Sequence, residues 1–254
     1  MCSDLASILV LKCLDKYAMH EDLVSSAVIF HRRLNLKLWS KGKLKPIVRY
    51  TLLKIAKNFV EYIGIEELHL QDITLSGSNA GYTYSRNSDI DLHLVVDMPE
   101  DKKILLKQLF DAKKNQYNFQ HNIQIKGIDV ELYVQDSQQP HTSAGIYSVL
   151  DDRWLKIPET VEDTVDRAAV KQKYKQFVGK VRVALRSDNL DSVKEVLDSI
   201  KKLRQHGLST GGELSAENIA FKVLRAKGHI EKLRNHISNI EADRLSLEQQ
   251  YENL

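Results

Sequence analysis

The stretch 68–96 constrains the fold more than any other, because apolar residues alternate there with polar ones on both sides of a glycine-containing segment, 76–89. An alternation of period two is typical of a β-strand that buries one of its faces. It predicts one strand over 68–75, which leads into Ser76-Gly77-Ser78, and a second strand over Ile90–Val96. A chain with these two strands must build a sheet around them.

Further strands and several helices are predicted on either side. Residues 123–126 and 128–134 are expected to pair through a turn near Lys126-Gly127. Apolar residues at three-to-four spacing indicate helices in the remaining segments. They cover 5–14, 23–30 with Asp22 as a candidate N-cap, 47–63 with Gly64 ending the pattern, 99–115, and about 160–186, 190–205 and 215–252. The glycine-rich segment 207–212 is expected to link the last two helices.

This order of elements predicts an α+β (mixed α/β) fold, in which a small mixed sheet is flanked by N-terminal helices and a C-terminal helical module. The predicted division is an N-terminal helical segment at 1–45, a catalytic core at 46–158 and the helical module at 159–254.

Charge and cysteine content exclude several functional classes. The net charge of +3 and the pI of about 8.6 are too mild to indicate nucleic-acid binding by themselves. From the two cysteines, Cys2 and Cys13, neither a disulfide framework nor a four-ligand zinc site can be built. Polar residues interrupt 5–14, so we expect no signal peptide and no membrane span. The expected location is the cytoplasm.

Asp89 and Asp91 are the first candidates for chemistry. They lie two residues apart, so on a strand their side chains point to the same face. Two carboxylates held this close repel each other unless a cation lies between them. Oxygen ligands of this kind suit Mg²⁺ or the similar Mn²⁺, which also binds the phosphates of a substrate. The pair therefore predicts a metal site.

Residues before and after this pair add to the predicted site. Gly77-Ser78 follows a strand directly, where glycine lets the backbone approach a phosphate and Ser78 adds a hydroxyl. Downstream, Asp129 and Glu131 lie two residues apart on the predicted strand 128–134, so their carboxylates point to the same face. Three carboxylates on adjacent strands are enough to hold two ions, which would activate an attacking hydroxyl and stabilise leaving pyrophosphate.

Gly77-Ser78, a gap of ten residues and then Asp89-Ile90-Asp91 resemble the signature of the DNA polymerase beta superfamily of nucleotidyltransferases. That signature is Gly-Ser, a spacer of about this length, and Asp-x-Asp on a strand. The resemblance covers about residues 46–135. Within the superfamily, 72–75 and 130–136 are similar to predicted nucleotidyltransferases of tailed phages, which implies a bacterial host cytoplasm for a phage-encoded protein.

The resemblance implies a role for each matching residue. Asp89 and Asp91 would bind both metals, and a third carboxylate would hold the catalytic metal and help to deprotonate the acceptor. We expect Glu131 in this third role, with Asp129 as the alternative. Contacts to the triphosphate are implied for Gly77 and Ser78. Ser88 and Arg86, which lie within the gap, are further candidates for phosphate contacts, although Arg86 fits a helix-capping role equally well.

Other residues near the signature are less specific. His93 is expected to point away from the two aspartates and to serve in packing. Tyr147 and Trp154, in a segment predicted to be a loop, either stack on a base or anchor two modules against each other. Basic residues at 171–186 and 222–234 form either solvated helix faces or a surface for an RNA acceptor.

Taken with the resemblance, these residues predict transfer of a nucleoside monophosphate from a nucleoside triphosphate, with ATP the expected donor, to a hydroxyl acceptor. The acceptor could be an RNA 3′ end such as that of a tRNA, a second nucleotide, a protein hydroxyl or a small molecule. The alternatives are a noncatalytic nucleotide- or RNA-binding module that retains the fold, and a helical scaffold with a relic core.

Overall fold

The computed structural model describes residues 23–65, 69–139 and 143–246. The chain divides into two compact units. One, here called the sheet unit, is Ile29–Asp163, and the other, the helical unit, contains the described residues 23–28 and 164–246. None of the described helices is both long enough and apolar enough to span a membrane.

The sheet unit contains eight strands and two α-helices among its described residues. In chain order these are β1 Trp39–Ser40, β2 Lys43–Leu44, α1 Pro46–Ile63, β3 Leu70–Ser76, β4 Ile90–Val96, α2 Lys103–Gln120, β5 Gln124–Ile125, β6 Ile128–Asp136, β7 Ile146–Ser148 and β8 Arg153–Lys156. Proline at the start of α1 suits the first helical turn, which has no intrahelical use for the missing N–H.

Six of these strands form one mixed sheet in the order β5-β6-β4-β3-β7-β8. The central neighbours β4 and β6 run parallel, with α2 in the connection between them, and the other pairs are antiparallel. β5 is short, so it covers only part of the outer edge of β6. Where β5 does not reach, the side chain of Asn118 in α2 donates to the carbonyl of Leu132 and accepts from its backbone N–H, both at 3.3 Å. The predicted α+β class, with a small mixed sheet, is confirmed.

The core of the sheet unit lies on one face of this sheet. Leu92 and Leu94 of β4 and Leu132 of β6 are fully buried there, together with Leu52 and Phe59 of α1. Along the whole of β4, the apolar residues at every second position are buried, and the residues between them are half-exposed, as the sequence pattern predicts. Burial of the apolar set therefore decides which face the polar set occupies.

Two segments, one after β6 and one at the start of the described residues, differ from the sequence-based expectation. The segment predicted to be a loop after β6 contains β7 and β8, which are only three and four residues long and too short for a clear alternation. Residues 23–30 form a single 3-10 turn at Leu23–Ser26 instead of a helix. Val24 and Val28 are buried, so their spacing reflects burial and not helix formation.

The helical unit contains the helices α3 Arg167–Ala184, α4 Leu190–Gly211, α5 Ala216–Ala226 and α6 His229–Leu245. The glycine-rich segment predicted to be a linker mostly belongs to α4. Gly207 is buried where α4 meets α5. There is no room for a side chain at this position, because a Cβ would lie 2.6 Å from Oγ of Ser215 and 2.8 Å from the nitrogen of Asn218. Gly207 thus permits close helix packing, and only Gly212 follows the helix.

The long helix predicted over 215–252 is interrupted. Gly228 adopts a left-handed conformation with φ of 74° and separates α5 from α6. The predicted helix at 5–14, the cap at Asp22, both cysteines and the end of the last helix beyond 246 lie outside the described residues.

Candidate metal and nucleotide site

Three carboxylates meet on the polar face of the central strand pair. Asp91 of β4 lies directly opposite Glu131 of β6 in the parallel register, and Asp89 immediately precedes β4. One carboxylate oxygen from each residue lies within 4.8 Å of the other two, and all three residues are half-buried. Three negative charges this close favour a cation, and an all-oxygen donor set fits Mg²⁺ or Mn²⁺.

The opposite face of the same strands explains why these acids are fixed. Ile90 and Leu92, which flank Asp91, and Leu132, next to Glu131, have no exposed surface. Their burial sets the register and direction of every side chain between them. Asp91 and Glu131 therefore stand on two neighbouring strands, with Asp89 at the start of one of them, which favours a preorganised site.

Gly77 lies against this group of acids. It has φ of 74°, in the region that favours glycine, and the neighbouring Ser76 pairs with Asp91 across β3 and β4. A Cβ added at Gly77 would overlap Oδ2 of Asp91 and come within 2.9 Å of its Cγ. Only glycine thus lets the turn approach the carboxylate of Asp91 this closely.

A hydrogen bond joins the two ends of the ten-residue gap. Ser78, which begins a short 3-10 turn, donates from Oγ to Oγ of Ser88 at 2.7 Å. The backbone nitrogen of Ser85 donates to the same Ser88 oxygen at 2.9 Å. Ser78 and Ser88, two of the predicted phosphate contacts, are therefore neighbours beside Asp89.

Asn79 is the residue of this region that sequence reasoning missed. It is 1% exposed, and its side-chain nitrogen donates to the backbone oxygen of Asp89 at 2.8 Å. Its own Oδ1 accepts from Asn35 at 2.9 Å, and its backbone oxygen accepts from the indole of Trp39 at 2.8 Å. Asn79 thus connects the Gly77-Ser78 turn with the acids and with the segment before α1.

The other two predicted site residues lie elsewhere. Asp129 is exposed, accepts a bond from the side chain of Gln124 at 2.6 Å within the β5–β6 hairpin, and is not part of the group of three acids. Arg86 is exposed in the turn between Ser85 and Ser88. The structure thus brings together Asp89, Asp91 and Glu131 and places Asp129 apart from them.

The predicted direction of the His93 side chain is wrong, although the side chain does serve in packing. Residues two apart in a strand share a face, so His93 of β4 lies on the same side as Asp91. Its Nε2 lies 3.1 Å from Oγ of Ser76, and its ring stacks on that of Tyr133 with centroids 4.9 Å apart. His93 therefore belongs to the polar face that carries the acids.

Tyr133 of β6 is a further residue on this face that the sequence did not single out. Burial raises the pKa of its hydroxyl well above the usual range, and the negative charges of Glu131 and Asp91 raise it further. Nζ of Lys114, from α2, lies 4.4 Å from the centre of its ring. Glu131 and Tyr133 are two residues apart on one strand, so the sequence already indicated that their side chains share a face.

Tyr147 and Trp154 pack inside the sheet unit. The side chain of Tyr147 is fully buried and donates to Oδ1 of Asp152 at 2.7 Å. The ring of Trp154 stacks on Trp39 with centroids 4.7 Å apart, and its indole donates to the carbonyl of Gly42. These contacts hold the β1–β2 hairpin against β7 and β8.

No protein-family model matches this sequence, and no curated protein matches it significantly. Among solved structures, the chain matches the STING-associated CdnE c-di-GMP synthase from Capnocytophaga granulosa at 12% identity, over 79% of this chain and 84% of that one, with a TM-score of 0.23. A TM-score this low gives the match no weight in assigning fold or function.

Proposed function

We propose that this protein is a metal-dependent nucleotidyltransferase, which moves a nucleoside monophosphate from a nucleoside triphosphate, with ATP the expected donor, to a hydroxyl acceptor. The observation that carries the proposal is the group formed by Asp89, Asp91 and Glu131, whose carboxylate oxygens lie within 4.8 Å of one another. The approach of Gly77 to Asp91 supports it, because it brings the candidate phosphate-binding turn beside the acids.

In the proposed reaction an oxygen of the acceptor hydroxyl attacks the α-phosphorus of the triphosphate. A new phosphorus–oxygen bond forms, and the bond from the α-phosphorus to the oxygen that bridges it to the β-phosphorus breaks, which releases pyrophosphate. The carboxylate of Glu131 takes up the proton of the acceptor hydroxyl. When bound, divalent cations would lower the pKa of that hydroxyl and neutralise charge on the phosphates.

The chain's own residues would supply the binding and orientation. Asp89 and Asp91 would hold the cations, and Glu131, opposite Asp91 in the register, would complete the ligand set. Backbone N–H groups of the turn at Gly77-Ser78 would contact the triphosphate. Asn79, through its bond to the backbone of Asp89, would keep this turn and the acids in one arrangement.

For the acceptor we propose RNA, on the strength of the charge pattern of α3. Helix α3 contains no acidic residue, and Lys171 and Lys175 are exposed at a spacing of four residues, which places them on one helix face. Two other lysines of α3 lie on different faces of the helix: Lys173 pairs with Glu217 at 2.8 Å, and Lys180 lies over the ring of Phe177. A pair of exposed cations fits a phosphate backbone.

The RNA proposal predicts a specific effect of charge reversal. Lys171→Glu with Lys175→Glu should weaken binding of tRNA by about tenfold or more at low salt and reduce its salt dependence, because phosphate contacts release counterions. Fluorescence anisotropy with labelled tRNA measures both. Lys194→Glu with Lys201→Glu is the matched control, because these α4 lysines pair with Glu241 and Asp198 and should contribute little. Equal losses in both double variants would exclude a specific role for α3.

The test of the transferase itself is product labelling. Purified protein is incubated with Mg²⁺ or Mn²⁺ and each α-³²P-labelled nucleoside triphosphate, with and without total tRNA. We expect label to appear in RNA, in protein or in a new small product. Asp89→Ala with Asp91→Ala should abolish labelling, whereas Asp129→Asn should label like the wild type.

Asp129→Asn is the sharper control, because Asp129 lies on the same strand as Glu131 but outside the group of three acids. Nucleotide binding without transfer under every condition would favour the noncatalytic binding module over the enzyme. Labelling that survives the loss of Asp89 and Asp91 would contradict the site itself.

A further inference from the structure

Helix α2 has two apolar sides, one buried and one exposed. Phe110 and Tyr117 are buried, and the ring of Tyr117 packs on that of Phe59 in α1 with centroids 4.9 Å apart. On a different side of the same helix, Leu105 and Phe119 are 67% and 92% exposed. Apolar side chains this large and this exposed indicate a surface that another molecule covers.

The exposed side forms a stripe along most of the helix. Residues at steps of four, three, four and three share one side of an α-helix, and this spacing is typical of a helix that packs against a second helix. The residues that follow this spacing, here called the α2 stripe, are all exposed: Leu105, Leu109, Ala112, Gln116 and Phe119. Ile104, which is 78% exposed, borders them at one end. The stripe extends over roughly 20 Å of the helix.

The order of residues along this side of α2 is symmetric about Ala112. Leu105 and Phe119 lie seven residues before and after it, and Gln108 and Gln116 lie four residues before and after it. If a second copy packs antiparallel on a two-fold axis through Ala112, Leu105 of each copy lies opposite Phe119 of the other. Gln108 then lies opposite Gln116, so the two side-chain amides can exchange hydrogen bonds. The small Ala112 lets the two helices approach closely.

The charges of α2 argue against a membrane surface or a nucleic acid as the partner. Either would be bound by lysine and arginine on the exposed side of the helix, and the α2 stripe contains no charged residue. Lys103 and Lys113 contact the sheet unit instead. Lys103 pairs with Asp136 at 2.8 Å, and Nζ of Lys113 lies 5.2 Å from the centre of the Tyr62 ring.

We propose that the protein forms a homodimer through the α2 stripe, with α2 of one copy packed antiparallel on α2 of the other. The large apolar side chains at positions 104, 105, 109 and 119 expose roughly 500 Å² in each chain. Pairing would bury roughly 1,000 Å² in total, which reaches the size of a specific interface. This inference is independent of the proposed function, because it uses neither the three acids nor the Gly77-Ser78 turn.

The test is the mass of the full-length protein in solution, measured by light scattering during size-exclusion chromatography at about 1 to about 100 μM. We expect the mass of two chains at the highest concentration. Leu105→Glu with Phe119→Glu should raise the dissociation constant by at least about 100-fold, because it places unpaired carboxylates in the interface. Ile47→Glu with Val183→Glu is the matched control, since these side chains are 60% and 71% exposed on α1 and α3. It should leave the mass unchanged, and urea denaturation checks that every variant is folded.

A cysteine variant tests the antiparallel arrangement. Ala112→Cys, in a chain whose two native cysteines are replaced by serine, should form a disulfide between copies on mild oxidation, because a residue on the two-fold axis faces its own counterpart. Lys107→Cys is the matched control, since Lys107 is exposed on a different side of α2. It should cross-link at least about tenfold less.

Several results would overturn the proposal. One is a wild-type protein that stays monomeric, whether or not it binds vesicles of phosphatidylcholine and phosphatidylserine. Another is a dimer that survives Leu105→Glu with Phe119→Glu, or one that the control variant weakens equally. Equal cross-linking in the two cysteine variants would exclude the antiparallel pairing of α2. None of these measurements involves nucleotide or metal, so their outcome is separate from that of the proposed transferase.

Discussion

The two faces of strands β4 and β6 are built from alternate residues of the same two segments, yet they differ completely in character. One face carries Leu92, Leu132 and their apolar neighbours in the core, and the other carries Asp91 and Glu131 beside Asp89. The core face gains free energy from burial, whereas the polar face holds like charges together at a cost. A fold stabilised on one side can thus tolerate an unfavourable charge cluster on the other.

The largest expected effect is on the polar face. Asp91→Asn removes one charge from the group of acids, and we expect it to reduce the proposed nucleotidyl transfer by about 1000-fold, or about 4 kcal/mol in activation free energy. Without metal its free energy of unfolding should stay the same or rise by up to about 1 kcal/mol, because repulsion is relieved. Labelling assays and urea denaturation check the two parts. A clear loss of stability would show that the faces are not separable.

The complementary change is on the core face. Leu92→Ala, next to Asp91 in sequence, removes a fully buried side chain and leaves a cavity beside α1. We expect a loss of about 2–5 kcal/mol in the free energy of unfolding. In the fraction that remains folded, Mn²⁺ affinity should change little. Urea denaturation and Mn²⁺ titration at low temperature measure these quantities, and a stability loss below about 1 kcal/mol would contradict the packing described for β4.

Gly77→Ala should affect both faces. An added Cβ meets the carboxylate of Asp91 and also suffers strain at φ of 74°. We expect a stability loss of about 1–3 kcal/mol together with weaker Mn²⁺ binding, because the turn and Asp91 must move apart. Gly42→Ala is a useful control, since Gly42 has φ of 77° with open space at its Cβ. If the two variants bind Mn²⁺ equally well, the close approach at Gly77 has no role in the site.

The smallest predicted effect concerns a charge on the core side of β6. Asp136 is buried and pairs with Lys103 at 2.8 Å, which holds the pKa of its carboxyl below the usual range. Asp136→Asn should cost about 1–2 kcal/mol at pH 7, because the side chain of Lys103 is partly exposed and water replaces some of the lost interaction.

The direction of the pH dependence follows from the lowered pKa. The pair stabilises the folded state fully above the unfolded pKa of Asp136, and that contribution is lost as the pH falls through the folded pKa. The stability difference between wild type and Asp136→Asn should therefore shrink below about pH 4. Urea denaturation between pH 3 and 7 measures it, and a difference that is constant with pH would exclude the ion pair as its cause.

The same alternation explains how much could be predicted from the sequence. The bounds of β4 agree with the prediction, because four buried residues alternate with half-exposed ones. The helix at Pro46–Ile63 also agrees, since proline and glycine mark its ends. The parallel register of β4 and β6 is a long-range property, so the sequence alone could not show which of Glu131 and Asp129 lies opposite Asp91.

Other parts could not be inferred from local pattern. The bonds of Asn79 reach Asn35 and Trp39, which lie 44 and 40 residues away from it in sequence, as well as Asp89. Gly207 resembles a turn glycine in sequence and is explained only by the helix that packs on it. The position of His93, by contrast, follows from strand parity alone and could have been predicted correctly.

The most direct test of the central claim is a Mn²⁺ titration that compares Glu131→Gln with Asp129→Asn. Both changes neutralise one acid on β6, two residues apart, and only Glu131 belongs to the group of three carboxylates. The account predicts that Asp129→Asn binds Mn²⁺ like the wild type, and that Glu131→Gln binds it at least about tenfold more weakly. Equal affinities in the two variants, or a loss confined to Asp129→Asn, would contradict it.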